Sequence, residues 1–443
     1  MSAAFIKVNY RSATTGMLPF PIQGLLTKFG VLLSLLQYHS ECKKSVSTQG
    51  KINHAIKLLL NYISYSDISF NTPTILLRSF REALIHGTID YLFYDPTGLY
   101  WCPRSNKAVN TIIANITHYT DWLARQPGHI GIINNPIRQA TSSEEHLNWC
   151  AYHHRLDNSL LNHLQSSDGQ AAVKYVREVG KLHEETTLID EVKRFPEGMI
   201  NTLIDDGLVV AGSTDSNGYP QPDYKCQAMT ILMHYGSVRV SELFHIYLCD
   251  IDIDIERMEG VVRIYNPATG AAPEKGYSNR KDYLLRRYKL KPRTEYLKSE
   301  CLHAGWKDPL LDHQDKYMEI RFFPPSKASE FLLAFRKYLI HQRVEPKHRQ
   351  HPYAFTNSKG EPETRKNFRR LHAAAVKRIG LKRGKYHGTT EHGHRHAYGY
   401  RLAKAGFGKL DIQKAMHHKS PESCEVYTQP SSSDIRELMR KHE

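Results

Sequence analysis

Four side chains that can handle a charged oxygen lie close together near the carboxyl end of the sequence. His392 and Arg395 are three residues apart, and His418 and Tyr427 follow downstream. A helix that starts just before His392 would present His392 and Arg395 on one side of its first turn. The amino-terminal end of a helix carries the positive pole of its dipole, which favours an anion. The pattern therefore predicts a site for a negatively charged group beside a tyrosine hydroxyl.

The positive charge of the chain is concentrated around these residues. The 443 residues include 60 Lys and Arg against 45 Asp and Glu, so the net charge is +15. Between His341 and Leu410 there are seventeen Lys and Arg but only four acidic residues, a local excess of +13. A basic surface of this kind is typical of proteins that bind the phosphates of nucleic acids.

The composition argues against several other classes of protein. Hydrophobic residues make up 40% of the chain and charged residues 24%, as in ordinary globular proteins. No run approaches the ~18 apolar residues of a membrane span, and residues 1–11 lack the pattern of a secretory signal. The seven cysteines contain no CxxC pair, which disfavours a disulfide framework or a cysteine zinc site. We expect a cytoplasmic protein without a membrane partner, in the bacterial cytoplasm or nucleoid.

The hydrophobic periodicity of the first half predicts a helical amino-terminal domain over 1–165 and a linker over 166–195. The linker contains a charged stretch, 174–193, that we interpret as a connecting helix. Glycine, proline and polar residues over 212–222 predict a loop. Apolar residues at three- and four-residue spacing predict helices over 25–38, 52–63, 79–85 and 109–123.

The second half reads as mainly α with a small antiparallel β-sheet. Two β-rich segments, 261–265 and 283–288, predict two strands joined by a connection that contains proline and glycine. Near the carboxyl end, Thr389 or Thr390 would cap a helix that ends at Gly406, and Ser420-Pro421 would start another helix that ends near Tyr427. Further helices are predicted over 226–235, 242–248, 331–342, 365–379 and 411–417.

Two motifs in this order resemble those of the tyrosine recombinases, the phage integrase family. His392-x-x-Arg395, His418 in a His-His-Lys-Ser segment and Tyr427 nine residues later resemble the family's carboxyl-terminal signature. Upstream, Arg239-Val-Ser-Glu resembles the family's arginine–x–Ser–Glu box at a helix–helix junction. The resemblance covers about 196–430. It implies a two-domain DNA-breaking–rejoining architecture, with a helical core DNA-binding domain over 1–165, a catalytic domain over 196–430 and a tail helix over 431–443.

The resemblance implies a catalytic role for each of these residues. Arg239 and Arg395 clamp the reacting phosphate, because planar guanidinium groups stabilise its non-bridging oxygens bidentately. Tyr427 attacks phosphorus and holds the DNA as a phosphotyrosine, so that no metal, ATP or other cofactor is needed. His392 assists proton transfer near the nucleophile, and His418 hydrogen-bonds a phosphate oxygen.

The resemblance also implies a lysine in a β-hairpin that protonates the leaving 5′ oxygen. We predict Lys275 for this role because it lies in the connection between the two predicted strands, and Lys281 is the alternative. Glu242 is expected to orient Arg239 or its neighbours.

The spacing of the motifs departs from that of typical family members. Arg239 and His392 are 153 positions apart, which places an insertion within 265–330. The insertion includes the segment 303–309, for which the sequence predicts no role.

Three alternating histidines offer an alternative reading of the signature as a metal site. His392, His394 and His396 would share one face of a strand, but on a helix residues two apart diverge by about 200°. Since a helix is predicted here, we predict no metal site and interpret His396 as a buried support for the catalytic residues.

These observations predict a site-specific recombinase of the integrase or transposase type, encoded by a mobile genetic element. Its expected partner is double-stranded DNA, on which the resemblance implies a homotetramer that exchanges the tail helix. The alternatives are a catalytically inactive, sequence-specific DNA-binding protein of the same fold, a type IB topoisomerase and a metal-dependent nuclease. The sequence identifies neither the DNA site nor any accessory protein.

Overall fold

A computed structural model describes most of the chain as two compact units, Met1–Thr186 and Thr187–Glu443. The fold is mainly helical with small antiparallel sheets, which confirms the predicted fold class. The predicted domain boundaries stay predictions, and most of the predicted tail helix lies outside the described residues. The described residues are 3–11, 20–65, 70–128, 133–157, 173–184, 193–214, 217–297, 300–346, 350–428, 436 and 439–440.

The first unit joins a three-stranded sheet to a group of helices. Strands β1 (Ala4–Tyr10), β2 (Phe20–Thr27) and β3 (Gly30–Val31) pair antiparallel in the order β1-β2-β3. The remaining elements are α1 (Leu33–Glu41), α2 (Val46–Tyr65), α3 (Pro73–His86), α4 (Asn106–Leu123), β4 (Ile137–Gln139), α5 (Ser142–Asp157) and β5 (Tyr175–Arg177).

Side-chain caps start two of these helices where the sequence changes from polar to apolar. The Thr72 hydroxyl accepts a hydrogen bond from the Ile75 amide before Pro73, and the Ser105 hydroxyl accepts one from the Ala108 amide. The apolar faces that follow pack into one core, in which Phe80 and Ile116 are fully buried. The predicted helices over 52–63, 79–85 and 109–123 are confirmed.

Two predictions in this unit are wrong. The predicted helix over 25–38 starts only at Leu33, because residues 25–27 belong to β2, which pairs with β1 and β3. A short apolar run fits either a strand or a helix, and here pairing with a distant strand decides. In the predicted connecting helix over 174–193, residues 175–177 form β5, which pairs with β4, while 185–192 lie outside the described residues.

The second unit is built around a helix that is buried on all sides. Helix α6 (Tyr224–Tyr235) is buried throughout Cys226–Tyr235. It packs against α8 (Lys327–His341), α9 (Arg365–Arg378) and α10 (Glu391–Lys404). Such a helix lacks an amphipathic stripe, because every face contacts protein.

The other elements of the second unit are short. The unit opens with a 3₁₀ turn (Glu197–Met199), an α turn (Ile200–Thr202) and a π turn (Leu203–Gly207), and later has 3₁₀ turns at Glu242–His245, Leu248–Asp250, Arg293–Glu295 and Pro421–Cys424. Its strands are β6 (Val209–Thr214), β7 (Pro220–Pro222), β8 (Ile251–Asp254), β9 (Glu259–Tyr265) and β10 (Tyr317–Glu319), and its remaining helices are α7 (Arg280–Tyr288), α11 (Lys409–Ala415) and α12 (Glu425–Thr428).

The small sheet differs from its prediction. The strand predicted at 261–265 is part of β9, which lies between β8 and β10 in an antiparallel sheet. The strand predicted at 283–288 is instead helical, since Asn279 caps α7 through the Asp282 amide at 2.9 Å. The predicted loop over 212–222 contains paired strand residues at both ends, in β6 and β7.

The connection from β9 to β10 is therefore 266–316. It contains α7, and two buried arginines hold it to the rest of the unit. The Arg280 guanidinium pairs with Asp250 and lies between the rings of Tyr247 and Tyr265, 4.2 and 4.0 Å from their centres. Arg293 donates to three backbone carbonyl groups, those of Phe244, Leu302 and Glu363, at 3.2, 2.8 and 2.8 Å. Because these donors and acceptors are buried, the connection is a fixed part of the unit. Among the described helices, none is long and apolar enough to cross a membrane.

Candidate active site

Arg239 lies just beyond the end of the buried helix α6 and is oriented by a buried carboxylate. The Arg239 Nη1 donates to Glu242 Oε1 at 2.8 Å, and its backbone amide donates to Glu242 Oε2 at 2.9 Å. Glu242 is 0% exposed, and its buried negative charge forms an ion pair with Arg239. The structure shows the contact between Glu242 and Arg239, and the orienting role of Glu242 stays a prediction.

Arg395 joins three segments of the second unit from the first turns of α10. Its Nη1 donates to the Ser237 carbonyl and its Nη2 to the Met416 carbonyl. Ser237 has a left-handed backbone with φ of 59°, an uncommon conformation for a residue with a side chain. Burial, and then the charge of Arg239, lower the Arg395 pKa to about 10, so Arg395 stays charged at neutral pH. A guanidinium has five N–H groups, and the two bonds leave donors for a phosphate.

Tyr427 lies on α12, against the same face of α10. The Ser420 hydroxyl caps the turn that leads into α12, as predicted, by accepting from the Glu422 amide at 3.3 Å. Tyr427 is 6% exposed, and burial raises its pKa. Its ring fits only because Gly399 has no side chain, since a Cβ there would lie 2.8 Å from the ring.

Among the described residues, the histidine within hydrogen-bond distance of the Tyr427 hydroxyl is His396. The His396 Nδ1 lies 3.1 Å from the Tyr427 hydroxyl, and the His392 ring packs edge-on against His396 with centroids 4.4 Å apart. Burial, followed by the charge of Arg395, lowers the His396 pKa to about 4. The imidazole is therefore neutral at pH 7 and able to accept a proton. The sequence assigned proton transfer to His392 and a supporting role to His396, because periodicity does not show which ring faces Tyr427.

His418 also lies beside Tyr427, and the charges of Arg395 and Arg239 act on its ring. Its ring centroid is 6.2 Å from that of Tyr427, and its Nδ1 lies 3.3 Å from Cys424 Sγ. Burial, then Arg395 and Arg239, lower the His418 pKa to about 3. The structure thus brings five of the six predicted site residues together: Arg239, His392, Arg395, His418 and Tyr427.

The sixth predicted residue, Lys275, is not joined to this group. Its neighbours Glu274 and Gly276 bond instead to α7, through Arg287 at 2.7 Å and Arg286 at 3.1 Å. In the described part of the chain, no hydrogen bond or ion pair links Lys275 to the other five predicted site residues. The alternative, Lys281, forms an ion pair with Glu295 at 2.8 Å.

A different lysine of the same connection, Lys307, lies close enough to His392 for its charge to act on that ring. Its charge is among the influences that lower the His392 pKa to about 4, after burial, His396 and Arg395. Lys307 is exposed, so it is accessible to a substrate. It lies in the segment 303–309 for which the sequence predicted no role.

The backbone around Lys307 is fixed at several points. The Gly305 carbonyl lies 3.3 Å from His245 Nε2, and the ring of Trp306 packs edge-on against that of His245 at 5.6 Å. On the other side, Asp308 pairs with Lys419, and the Leu310 amide donates to the His417 carbonyl at 3.1 Å. These contacts span between 60 and 111 positions of sequence, which explains why local patterns did not identify Lys307.

A basic groove lies along α9. The groove encloses about 690 Å³ and includes Glu300, Cys301 and His303 on one side. Two of its arginines also reach the start of α10, where Arg383 and Arg369 pair with Glu391 at 2.9 and 3.6 Å. Its cationic side chains are Arg365, Lys366, Arg369, Arg370 and Arg383.

Residues 217–433 match the phage integrase family, and this part of the chain belongs to that family. The match includes all six predicted site residues and Lys307. It makes the protein a DNA breaking and rejoining enzyme of site-specific recombination. No curated protein sequence matches the chain.

Solved structures similar to this chain include three recombinases. The XerH site-specific recombinase in a pre-cleavage complex with its difH substrate is 11% identical, with a TM-score of 0.48, over 92% of this chain and 84% of that chain. A lambda integrase (75–356) dimer bound to a COC' core site is 11% identical, with a TM-score of 0.42, over 90% and 95%. The XerA recombinase is 13% identical, with a TM-score of 0.35, over 93% and 97%.

Proposed function

We propose that the chain cleaves and rejoins double-stranded DNA at specific sites through a 3′-phosphotyrosyl intermediate on Tyr427, without metal or ATP. The observation that supports this most is the 3.1 Å contact between the Tyr427 hydroxyl and His396 Nδ1, beside two arginines. A phenol next to a neutral imidazole and two guanidinium groups suits attack on a phosphodiester. A protein that only binds DNA has no need of this arrangement.

In the cleavage step, the phenol oxygen of Tyr427 attacks phosphorus and the bond from phosphorus to the 5′ oxygen breaks. The phenolic proton passes to His396, with His392 packed against it. Arg239 and Arg395 stabilise the charge on the non-bridging oxygens, and His418 donates a further hydrogen bond to them. The phosphate remains as a tyrosine ester, which a 5′ hydroxyl from another strand attacks to rejoin the DNA.

The leaving 5′ oxygen takes its proton from a lysine. Lys275 is the sequence-based prediction for this proton donor, and Lys307 is a second candidate, supported by its exposure and by the effect of its charge on His392. Lys307 is close enough to His392 to affect its pKa, and its backbone is fixed by His245 and His417. An ammonium group beside the phosphate is suited to protonate an alkoxide as it departs.

The DNA lies, in this proposal, along the basic groove of α9. The five cationic side chains of the groove suit the phosphate backbone, and Glu391 connects the groove to the catalytic helix through Arg369 and Arg383. We assign core DNA binding to residues 1–165, a linker role to 166–195 and catalysis to 196–430. Membership of the phage integrase family supports a homotetramer joined through the tail helix at 431–443, and an origin in a mobile genetic element.

The test is formation of a covalent protein–DNA adduct. The substrate is a labelled, nicked duplex that carries the repeat found by sequencing the chromosome junctions around the gene, incubated with the full chain in EDTA. Wild-type protein should give a slow-migrating adduct on the 3′ side of the break in a denaturing gel. Tyr427→Phe removes one oxygen and should abolish the adduct, while Tyr400→Phe should retain it.

Two results would overturn the proposal. An adduct that persists in Tyr427→Phe would show that another residue is the nucleophile. Cleavage that is lost in EDTA and restored by magnesium would favour the metal-dependent nuclease.

A further inference from the structure

Three fully buried histidines, one of them on α10, form a continuous series of ring contacts. His234 Nδ1 lies 3.0 Å from His394 Nδ1, and His394 Nε2 lies 2.8 Å from His372 Nε2. All three side chains are 0% exposed and come from the three packed helices α6, α10 and α9. Phe195 stacks on the central ring at 4.4 Å. The cleavage step described above uses none of them.

An arginine at one end of this histidine series determines which ring nitrogens donate and which accept. Arg401 Nη2 lies 2.7 Å from His234 Nε2, and a guanidinium only donates, so this nitrogen accepts. Glu197 Oε2 lies 3.4 Å from the same nitrogen, a weaker contact that would require the opposite proton position. The shorter distance to an obligate donor decides, and His234 therefore carries its proton on Nδ1.

The remaining proton positions follow from that assignment. His234 Nδ1 donates to His394 Nδ1, so His394 carries its proton on Nε2 and donates to His372 Nε2. The proton of His372 then lies on Nδ1, which has no hydrogen-bond partner among the described residues. One more proton on any ring would set two N–H groups against each other, or an N–H against Arg401. All three rings are therefore neutral, in keeping with the lowered pKa of each, which is about 4 for His372 because of its burial.

The triad joins the two segments that carry the catalytic arginines. His234 lies on α6, five residues before Arg239, and His394 is next to Arg395 on α10. We infer that the histidine triad His234–His394–His372 positions Arg239 and Arg395 relative to each other, through a one-directional chain of hydrogen bonds. These are positioning residues rather than catalytic ones, and the inference rests on the proposed function because its effect is on cleavage.

The test compares two substitutions of His372, the last histidine of the triad. His372→Leu removes the acceptor and leaves the His394 N–H unpaired, so single-turnover cleavage at saturating DNA should slow by roughly 10-fold or more, with DNA affinity unchanged. His372→Gln places Oε1 where the ring nitrogen accepts, and should restore cleavage to near wild type. His39→Leu is the matched control, because His39 is also buried and bonds Asn53 at 2.7 Å in the first unit. It should lower the melting temperature without slowing cleavage by the folded protein.

A second measurement does not depend on cleavage or on a substitution. The ¹⁵N spectrum of histidine-labelled wild-type protein at pH 7 should show three neutral rings, with protons on His234 Nδ1, His394 Nε2 and His372 Nδ1. A cationic ring or a reversed tautomer would overturn the inference, and so would folded His372→Leu that cleaves at the wild-type rate. If wild-type protein forms no adduct at all, the proposed function fails, while the spectrum still tests the triad.

Discussion

The Tyr427 hydroxyl and the His396 Nδ1 are 3.1 Å apart, although 31 positions separate the two residues. The contact exists because α12 packs on α10 opposite Gly399, where a side chain would displace the tyrosine ring. Through this contact, His396 is a neutral proton acceptor for the proposed nucleophile, and the charged Arg239 and Arg395 lie nearby. Histidine and tyrosine are thus matched in position and in protonation state before DNA binds.

Replacing His396 should slow cleavage more than replacing His392. His396→Phe keeps a planar ring but removes the acceptor, so adduct formation should fall by roughly 10²-fold. His392→Phe removes only the ring packed against it, and a smaller loss is expected. Because the His396 pKa is lowered to about 4, the wild-type rate should not change between pH 8 and 6 through this group. Single-turnover rates on the nicked substrate measure both effects, and an equal loss in the two variants would contradict the assignment.

Glu242→Gln should reduce cleavage while DNA affinity is retained. The substitution keeps the shape of the side chain but removes the charge that holds Arg239 at 2.8 Å, so we expect a loss of about 10-fold or more. Glu330→Gln is the matched control, since Glu330 pairs with Lys327 at the same i,i+3 spacing on the exposed side of α8. Gel-shift and adduct assays on both variants separate binding from cleavage. A Glu242→Gln enzyme with the wild-type cleavage rate would refute the orienting role.

Gly399→Ala should displace Tyr427. The added Cβ would lie 2.8 Å from the tyrosine ring and 2.9 Å from Met416 Sδ, closer than real Cβ contacts allow. Adduct formation should therefore fall strongly, although alanine is the better helix former by about 1 kcal/mol. Gly198→Ala, which meets no atom within 4 Å, serves as the control and should leave the adduct yield unchanged. Full adduct yield from Gly399→Ala would show that Tyr427 reacts from a different position.

Cleavage by Lys307→Ala should be slow on ordinary DNA and restored by a substrate with a better leaving group. Cleavage by Lys275→Ala should be near the wild-type rate on ordinary DNA. A lysine that protonates the 5′ oxygen is dispensable when sulfur replaces that oxygen, because a thiolate leaves without a proton. We therefore expect Lys307→Ala to cleave the ordinary substrate slowly and the 5′-thio substrate at the wild-type rate. The opposite pattern, with rescue of Lys275→Ala alone, would restore the sequence-based assignment.

Acidification should destabilise the second unit before carboxylates titrate. Burial holds the pKa of His372 to about 4 and that of His245 to about 3, against ordinary values of about 6.5 in the unfolded chain. Between pH 6.5 and about 4 the unfolded chain binds protons that the folded histidines reject, so stability falls as pH falls. Each such fully buried histidine contributes about 1.4 kcal/mol per pH unit in that window. Denaturant titrations at pH 7 and pH 5 measure the difference, and equal midpoints would contradict the neutral, buried state of these rings.

Local spacing by itself determined most of the candidate site. Because His392 and Arg395 are three residues apart on one helix, their side chains leave neighbouring parts of its surface, however the rest of the chain folds. The Ser-Pro cap before Tyr427 and the pairing of Arg239 with Glu242 are likewise contacts between near neighbours in sequence. For this reason these features, and the family to which the domain belongs, follow from the sequence.

Only the tertiary structure decided which distant groups meet. Residues 25–27 become a strand because β1 and β3 pair with them, and residues 283–288 become helical after the Asn279 cap, against their β-rich composition. The choice of His396 over His392 as the partner of Tyr427 depends on how α12 packs on α10. The position of Lys307 depends on contacts of its neighbours with residues between 60 and 111 positions away along the chain. Periodicity fixes the direction of a side chain on its own element, but the packing of one element on another determines what that side chain touches.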